Sequence, residues 1–170
     1  MAQNSFLSSP FSSADFADTP EEAVKPRAAT PAPKSGATTF DPLFERYGKE
    51  YDLPPTLLKT LAGKESSFNP RAVGATNSNG TTDYGLMQHN SRYFKERGIT
   101  DPFDPEQSVA KAAKLLSDNL RASGGNLREA VRRYNGTGPA AERYADDVMA
   151  KFQLANGDII SSEYARFVAH

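Results

Sequence analysis

Proline, glycine and asparagine interrupt the apolar segments of this chain at short intervals, and those interruptions confine it to short helices. Asp41-Pro42 supplies a capping residue with a proline suited to a first helical turn, and Leu43, Phe44, Tyr47 and Tyr51 follow at helical spacing. After Leu53-Pro54-Pro55, the residues Leu57, Leu58, Leu61 and Ala62 make an apolar face that ends before Asn69-Pro70. Asp104-Pro105-Glu106-Gln107 opens the clearest helix, with Val109, Ala112, Ala113, Leu116 and Leu120 on one side and Gly124-Gly125 as its stop. Leu127, Ala130, Val131 and Tyr134 predict a further helix closed by Asn135-Gly136, and Tyr144, Val148 and Phe152 a last one after Pro139.

The stretch from Arg71 to Asp83 is dense in Gly, Asn, Ser and Thr. Its Asn79-Gly80 pair followed by Thr81-Thr82 predicts a small β-hairpin turning at that glycine. No internal repeat occurs, so the expected fold is mainly α (α+β): a compact helical domain with a minor β element.

At 170 residues there is room for one domain and a tail. Residues 1–38 are rich in Ser, Ala, Pro and Thr, with proline at 10, 20, 26, 31 and 33, and are expected to form a disordered leader or linker. Phe6, Leu7, Phe11 and Phe16 give that leader an alternative use as a docking peptide. The domain is expected over residues 39–156, with residues 157–170 either a short closing helix or the start of a further segment.

A net charge of −1 gives no field of one sign, which argues against nucleic acid as a partner. With no cysteine and only His89 and His170 as imidazole donors, a structural zinc is excluded and no cofactor is expected. His89 is expected at the surface or at the edge of a groove. The opening residues show no basic segment followed by an apolar run, so no secretory signal is expected, and no stretch reaches the roughly 18 apolar residues of a membrane span.

Glu65 is the candidate catalytic residue. It lies four residues past Leu61 and seven past Leu58, so it points to the core side near the C-terminal end of its helix. Desolvation and the negative end of the helix dipole there favour the neutral acid, the form that hands a proton to a glycosidic oxygen. A structural ion pair is the plainer use of such a glutamate.

The surrounding text decides between them. Glu65-Ser66-Ser67-Phe68-Asn69-Pro70 resembles the Glu-Ser motif of the soluble lytic transglycosylase (SLT) domain, and Gly85-Leu86-Met87-Gln88 its Gly-Leu-Met-Gln motif. Tyr134-Asn135 resembles its Ala-Tyr-Asn motif with Arg133 in place of Ala, and the segment from Tyr144 to Val148 its late tyrosine helix. Four motifs in order over about residues 41–152 make a specific match.

The resemblance implies a lysozyme-like domain with a groove for glycan strands and Glu65 as acid and then base. It implies that Tyr134 orients Glu65, that Met87, Gln88 and Asn135 line the groove, that Ser66 steadies the loop or the substrate, and that Tyr144 contacts substrate. Met87 and Tyr144, at apolar helical positions, also fit a core role.

The run from Thr81 to Tyr93 additionally resembles the Asp-Tyr-Gly region of animal c-type lysozymes. That makes Asp83 a candidate second carboxylate for a hydrolytic muramidase, against a plain role bonding nearby amides in the hairpin. The expected activity is lytic cleavage of the linkage between N-acetylmuramic acid and N-acetylglucosamine in peptidoglycan, with 1,6-anhydro products. A glycan-binding or structural domain without catalysis is the reading of another class. For location, the expectation is a phage virion protein or a part of a secretion machine that acts in the periplasm or cell wall, with partners met through the leader.

Overall fold

The computed structural model describes residues 38–168, with side chains to residue 157. The leader, with Phe6, Leu7, Phe11 and Phe16, falls outside the described residues, apart from Thr38, as do the side chains of Ile159, Ile160 and Tyr164 in the expected tail. The helices are α1 (Asp41–Glu50), α2 (Pro55–Ser66), the short α3 (Phe94–Arg97), α4 (Pro105–Ala122), α5 (Leu127–Asn135) and α6 (Gly138–Val168). One antiparallel pair, β1 (Asp83–Tyr84) and β2 (His89–Asn90), sits between α2 and α3. No helix among the described residues is long and apolar enough to cross a membrane.

The predicted helical boundaries hold with local differences. Asp104 caps α4 as expected, its carboxylate accepting from the Glu106 amide at 2.9 Å. Asn126 does the same for α5 through Glu129 at 3.0 Å. Asp41, expected to cap α1, is instead that helix's first residue, and its carboxylate pairs with Lys59 of α2 at 2.8 Å. In α6 the backbone runs on without a break through Gly157 to Val168.

The hairpin lies one turn later than predicted. Asn79-Gly80 does reverse the chain, with Gly80 at φ +78° and its amide on the Asn77 carbonyl at 2.9 Å, and Val73 bridges Tyr84 across that loop. The paired strands, however, flank Gly85-Leu86-Met87-Gln88, where Asp83 faces Asn90 and Tyr84 faces His89. Gly85 at φ +79° and Gln88 at φ +50° let four residues close the reversal.

The core joins all the long helices. Leu57, Leu58 and Leu61 of α2, Leu116 of α4, Val131 of α5 and Val148 of α6 are fully buried together. Each such side chain contributes about 1.5–3 kcal/mol of apolar transfer. Leu86 and Met87 of the turn are buried in the same cluster, which draws the β element down onto the helices.

His89 corrects its expected surface position: the ring is 2% exposed. Its Nε2 lies 2.8 Å from the Ser108 carbonyl and must donate, which leaves Nδ1 unprotonated and buried without a partner. Burial holds the imidazole down at about pKa 4, beyond what the Ser108 hydrogen bond restores.

Two predictions follow from this packing. A methyl group at Gly85 would meet the Pro102 carbonyl at 2.0 Å in a left-handed backbone, so Gly85→Ala is expected to cost about 3 kcal/mol, read as a fall in Tm of about 10 °C. For His89 the unfolded imidazole takes its proton near pH 6.5 and the folded one only near 4. Its contribution to stability is therefore complete above about pH 6.5 and falls as the pH drops toward 4, by about 2–3 kcal/mol. Urea midpoints at pH 7 and 4.5 should separate less in His89→Gln than in the parent, and an equal separation would count against a neutral buried ring.

Candidate active site

Glu65 is the penultimate residue of α2, one position before the helix ends. The buried Leu57, Leu58, Leu61 and Ala62 anchor that helix, so the half-buried carboxyl has a fixed starting point. From α6, the Tyr144 hydroxyl donates to Glu65 Oε1. Burial, reinforced by the negative charge of Glu65, pushes the Tyr144 hydroxyl well above its ordinary pKa, which keeps it a donor. The Lys64 ammonium stands 5.9 Å over the Tyr144 ring and pairs with Asp147, which Lys151 also contacts at 3.0 Å. The phenol is thus held from the side as well as at its tip.

Ser66, the next residue, is 6% exposed, and its hydroxyl donates to the Leu86 carbonyl at 2.8 Å. That bond ties the end of α2 to the Gly85–Gln88 turn. The chain then turns sharply through Ser67 at φ +53° and Phe68 at φ +63°, two side-chain-bearing residues in the left-handed region. Such conformations cost about 1 kcal/mol or more each and persist only where packing imposes them.

Across the turn, Met87 is fully buried, so its side chain packs in the core and does not line a groove. Its backbone carries the connections: the amide donates to Ser108 Oγ at 3.1 Å and the carbonyl accepts from the Tyr134 hydroxyl at 3.0 Å. Tyr134, expected to orient Glu65, spends its hydroxyl on the turn, and Tyr144 meets the Glu65 carboxyl. The difference arises because Tyr144 comes from α6, which packs on α2, whereas α5 packs between α4 and α6. Burial first, and then the Glu65 charge, raise the Tyr134 hydroxyl far above its ordinary pKa.

Gln88 folds back on its own turn, with Nε2 donating to the Gly85 carbonyl at 2.8 Å and to the Ala72 carbonyl at 3.2 Å. Asp83 accepts from Asn90 Nδ2 across the strand pair at 2.8 Å. Asn135 is exposed at the last position of α5. A cavity of about 390 Å³ opens between α2 and α6 beside Thr56, Lys59, Gly63, Lys64, Phe68 and Lys151. Lys64 lines it, and the adjacent Glu65 does not.

Sequence reasoning missed Ser108, which anchors both Met87 and His89. Its signal was present: Ser108, 1% exposed, and Ser117, 4% exposed, border the apolar face of α4 formed by Val109, Ala112, Ala113 and Leu116. A hydroxyl at such a position needs a buried partner.

Chemically, the arrangement is one carboxyl at a helix C-terminus, gripped by a phenol, next to a turn whose backbone is pinned by helix side chains. Residues 42–153 match the family model described as Transglycosylase SLT domain. Protein IpgF of Shigella flexneri is 38% identical over 120 residues, 64% of this chain and 78% of that protein. Invasion protein IagB of Salmonella typhimurium (strain SL1344) is 36% identical over 120 residues, 64% of this chain and 74% of that protein. A transglycosylase of Enterobacteria phage PRD1 is 30% identical over 130 residues, 73% of this chain and 47% of that protein. With the model covering well over half of its length, the chain belongs to the transglycosylase SLT domain family.

Proposed function

We propose that this domain is a peptidoglycan lytic transglycosylase in which Glu65 acts as general acid and then as base. The observation that carries the reading is the Tyr144 hydroxyl donating to Glu65 Oε1 from a different helix. A carboxylic acid accepts at one oxygen and donates from the other, so with Oε1 held, the transferable proton falls to Oε2. That proton goes to the oxygen linking N-acetylmuramic acid to N-acetylglucosamine as the bond to the anomeric carbon breaks. The resulting carboxylate then takes the proton of the muramyl 6-hydroxyl, whose oxygen bonds the anomeric carbon and closes a 1,6-anhydro ring. No water is consumed, and the proton ends on Glu65 as it began.

One carboxyl suffices because the nucleophile is tethered to the sugar it attacks; well-oriented intramolecular groups act at effective concentrations of about 10⁵–10⁸ M. Asp83 is then a strut of the hairpin, its carboxylate taken up with Asn90. Gln88 and Tyr134 support the turn beside the acid, and Asn135, exposed next to it in sequence, is the better placed to touch glycan.

The same reading extends to circumstance. One relative is named an invasion protein and another a phage transglycosylase. They support a role in opening the wall locally for a virion or a secretion apparatus, with the leader as the segment that meets partner proteins.

Two measurements test this. Glu65→Gln keeps the shape of the side chain and removes its proton, so clearing of purified cell walls should fall at least about 100-fold while Tm stays within a few degrees. Equal clearing by parent and variant would leave a binding or structural domain. The products should weigh one water less than hydrolytic fragments, and Asp83→Asn should still make them. Hydrated reducing ends that vanish in Asp83→Asn would establish the muramidase route instead.

A further inference from the structure

Helices α5 and α6 form a hairpin that delivers Tyr134 to the Met87 carbonyl and Tyr144 to Glu65. The turn joining them contains Gly136 at φ +143° and Gly138 at φ +79°, with no atom near where either side chain would begin. Such a link fixes little by itself, so the rotation of α6 has to be set by other contacts.

Beside the buried Ala145, Val148 and Phe152 of α6, the charged side chains of α5 supply them, Arg132 at the turn and Arg128 one helical turn earlier. The Arg132 side chain is only 16% exposed, and Nε and Nη2 donate to the two oxygens of Glu129 at 2.7 Å each. Nη1 donates to the Gly136 carbonyl at 3.1 Å, and Nε lies 3.4 Å from Glu142 Oε1. Arg128 takes the other Glu142 oxygen at 2.8 Å and Asp146 at 2.7 Å. Glu142 and Asp146 each stand two residues from Tyr144, about 200° around the helix. The flank of α6 drawn toward α5 is thus nearly opposite to the flank carrying the phenol.

We propose that Arg132 is a positioning residue for the Tyr144–Glu65 pair: by gripping the α5–α6 turn and Glu142 it sets the rotation of α6, and hence where the hydroxyl meets the acid. This rests on Glu65 being the acid. Exposed ion pairs on a helix surface usually contribute little. Arg132 differs in being mostly covered, in binding one carboxylate through two parallel bonds, and in capping the carbonyl of the turn itself. Arg133 also reaches Glu129, at 2.8 Å, so Glu129 is fixed from two sides and in turn fixes Arg132. Together these two guanidinium groups hold the Glu129 carboxyl down at about pKa 2.

The test is a double-mutant cycle on the full chain, with kcat and KM measured on solubilised glycan strands and Tm recorded for every variant. Arg132→Gln should lower kcat about tenfold with KM within about twofold, while Arg132→Lys recovers part of the loss. In a Tyr144→Phe background the same change should cost less than about twofold, because the contact it serves is already gone. Both Arg132→Gln and Tyr144→Phe should move the alkaline limb of the pH–rate profile in the same direction. Equal losses in both backgrounds, or a change in Tm with kcat and the pH profile intact, overturn the proposal. Should Arg132→Gln not fold, Arg132→Lys carries the same cycle, since one ammonium cannot hold Glu129, the Gly136 carbonyl and Glu142 together. Full activity in Glu65→Gln would instead remove the acid reading on which the inference stands, so the two failures are distinct.

Discussion

The peptide groups of Leu86 and Met87 are buried, and burying them obliges three helices to supply hydrogen-bond partners. Ser66 of α2 donates to the Leu86 carbonyl, Tyr134 of α5 donates to the Met87 carbonyl, and Ser108 of α4 accepts from the Met87 amide. An unpaired buried peptide group costs about 1–3 kcal/mol, so each of these side chains is held to its task by more than packing. The consequence is that the turn, the end of α2 and the α5 hairpin share one set of coordinates. Glu65 sits one residue from the first of those bonds, and its placement follows from them.

Within that frame the two tyrosines divide the work. Tyr134 bonds the turn that Ser66 also grips. Tyr144 is the phenol that touches Glu65, and its position depends on how α6 is rotated on α5 and α2. Electrostatics agrees with this division, since burial, and after it any negative charge on Glu65, lifts both phenols above their ordinary range and so preserves both as donors. Of the four non-glycine residues with left-handed φ among the described residues, Ser67, Phe68 and Gln88 lie beside Glu65 or in the turn, and Asp52 lies in the link between α1 and α2.

Three residues expected at the substrate make internal contacts in the turn beside Glu65. Met87 packs in the core and offers its backbone, Gln88 closes its own turn, and Ser66 spans from helix to loop. A motif of adjacent residues is thereby a recipe for a rigid turn as much as a set of ligands, because a proton donor must be held to within a fraction of an ångström to act.

Much was legible along the chain. Helix starts at Pro55 and Asp104, the stops at Gly124 and Gly136, and Glu65 on the inner side of its helix all depend on neighbours within a few residues, where capping, φ restriction and periodicity are local rules. The family resemblance added the order of the four motifs. Three things were decided through space. The strands paired around Gly85–Gln88 beyond the Asn79-Gly80 turn because the core captured Leu86 and Met87. His89 was buried because Ser108, nineteen positions on, offered its carbonyl. Tyr144 reached Glu65 in place of Tyr134 because helix rotation chooses between two phenols at equivalent apolar positions, and rotation is set by contacts between helices that no stretch of sequence contains.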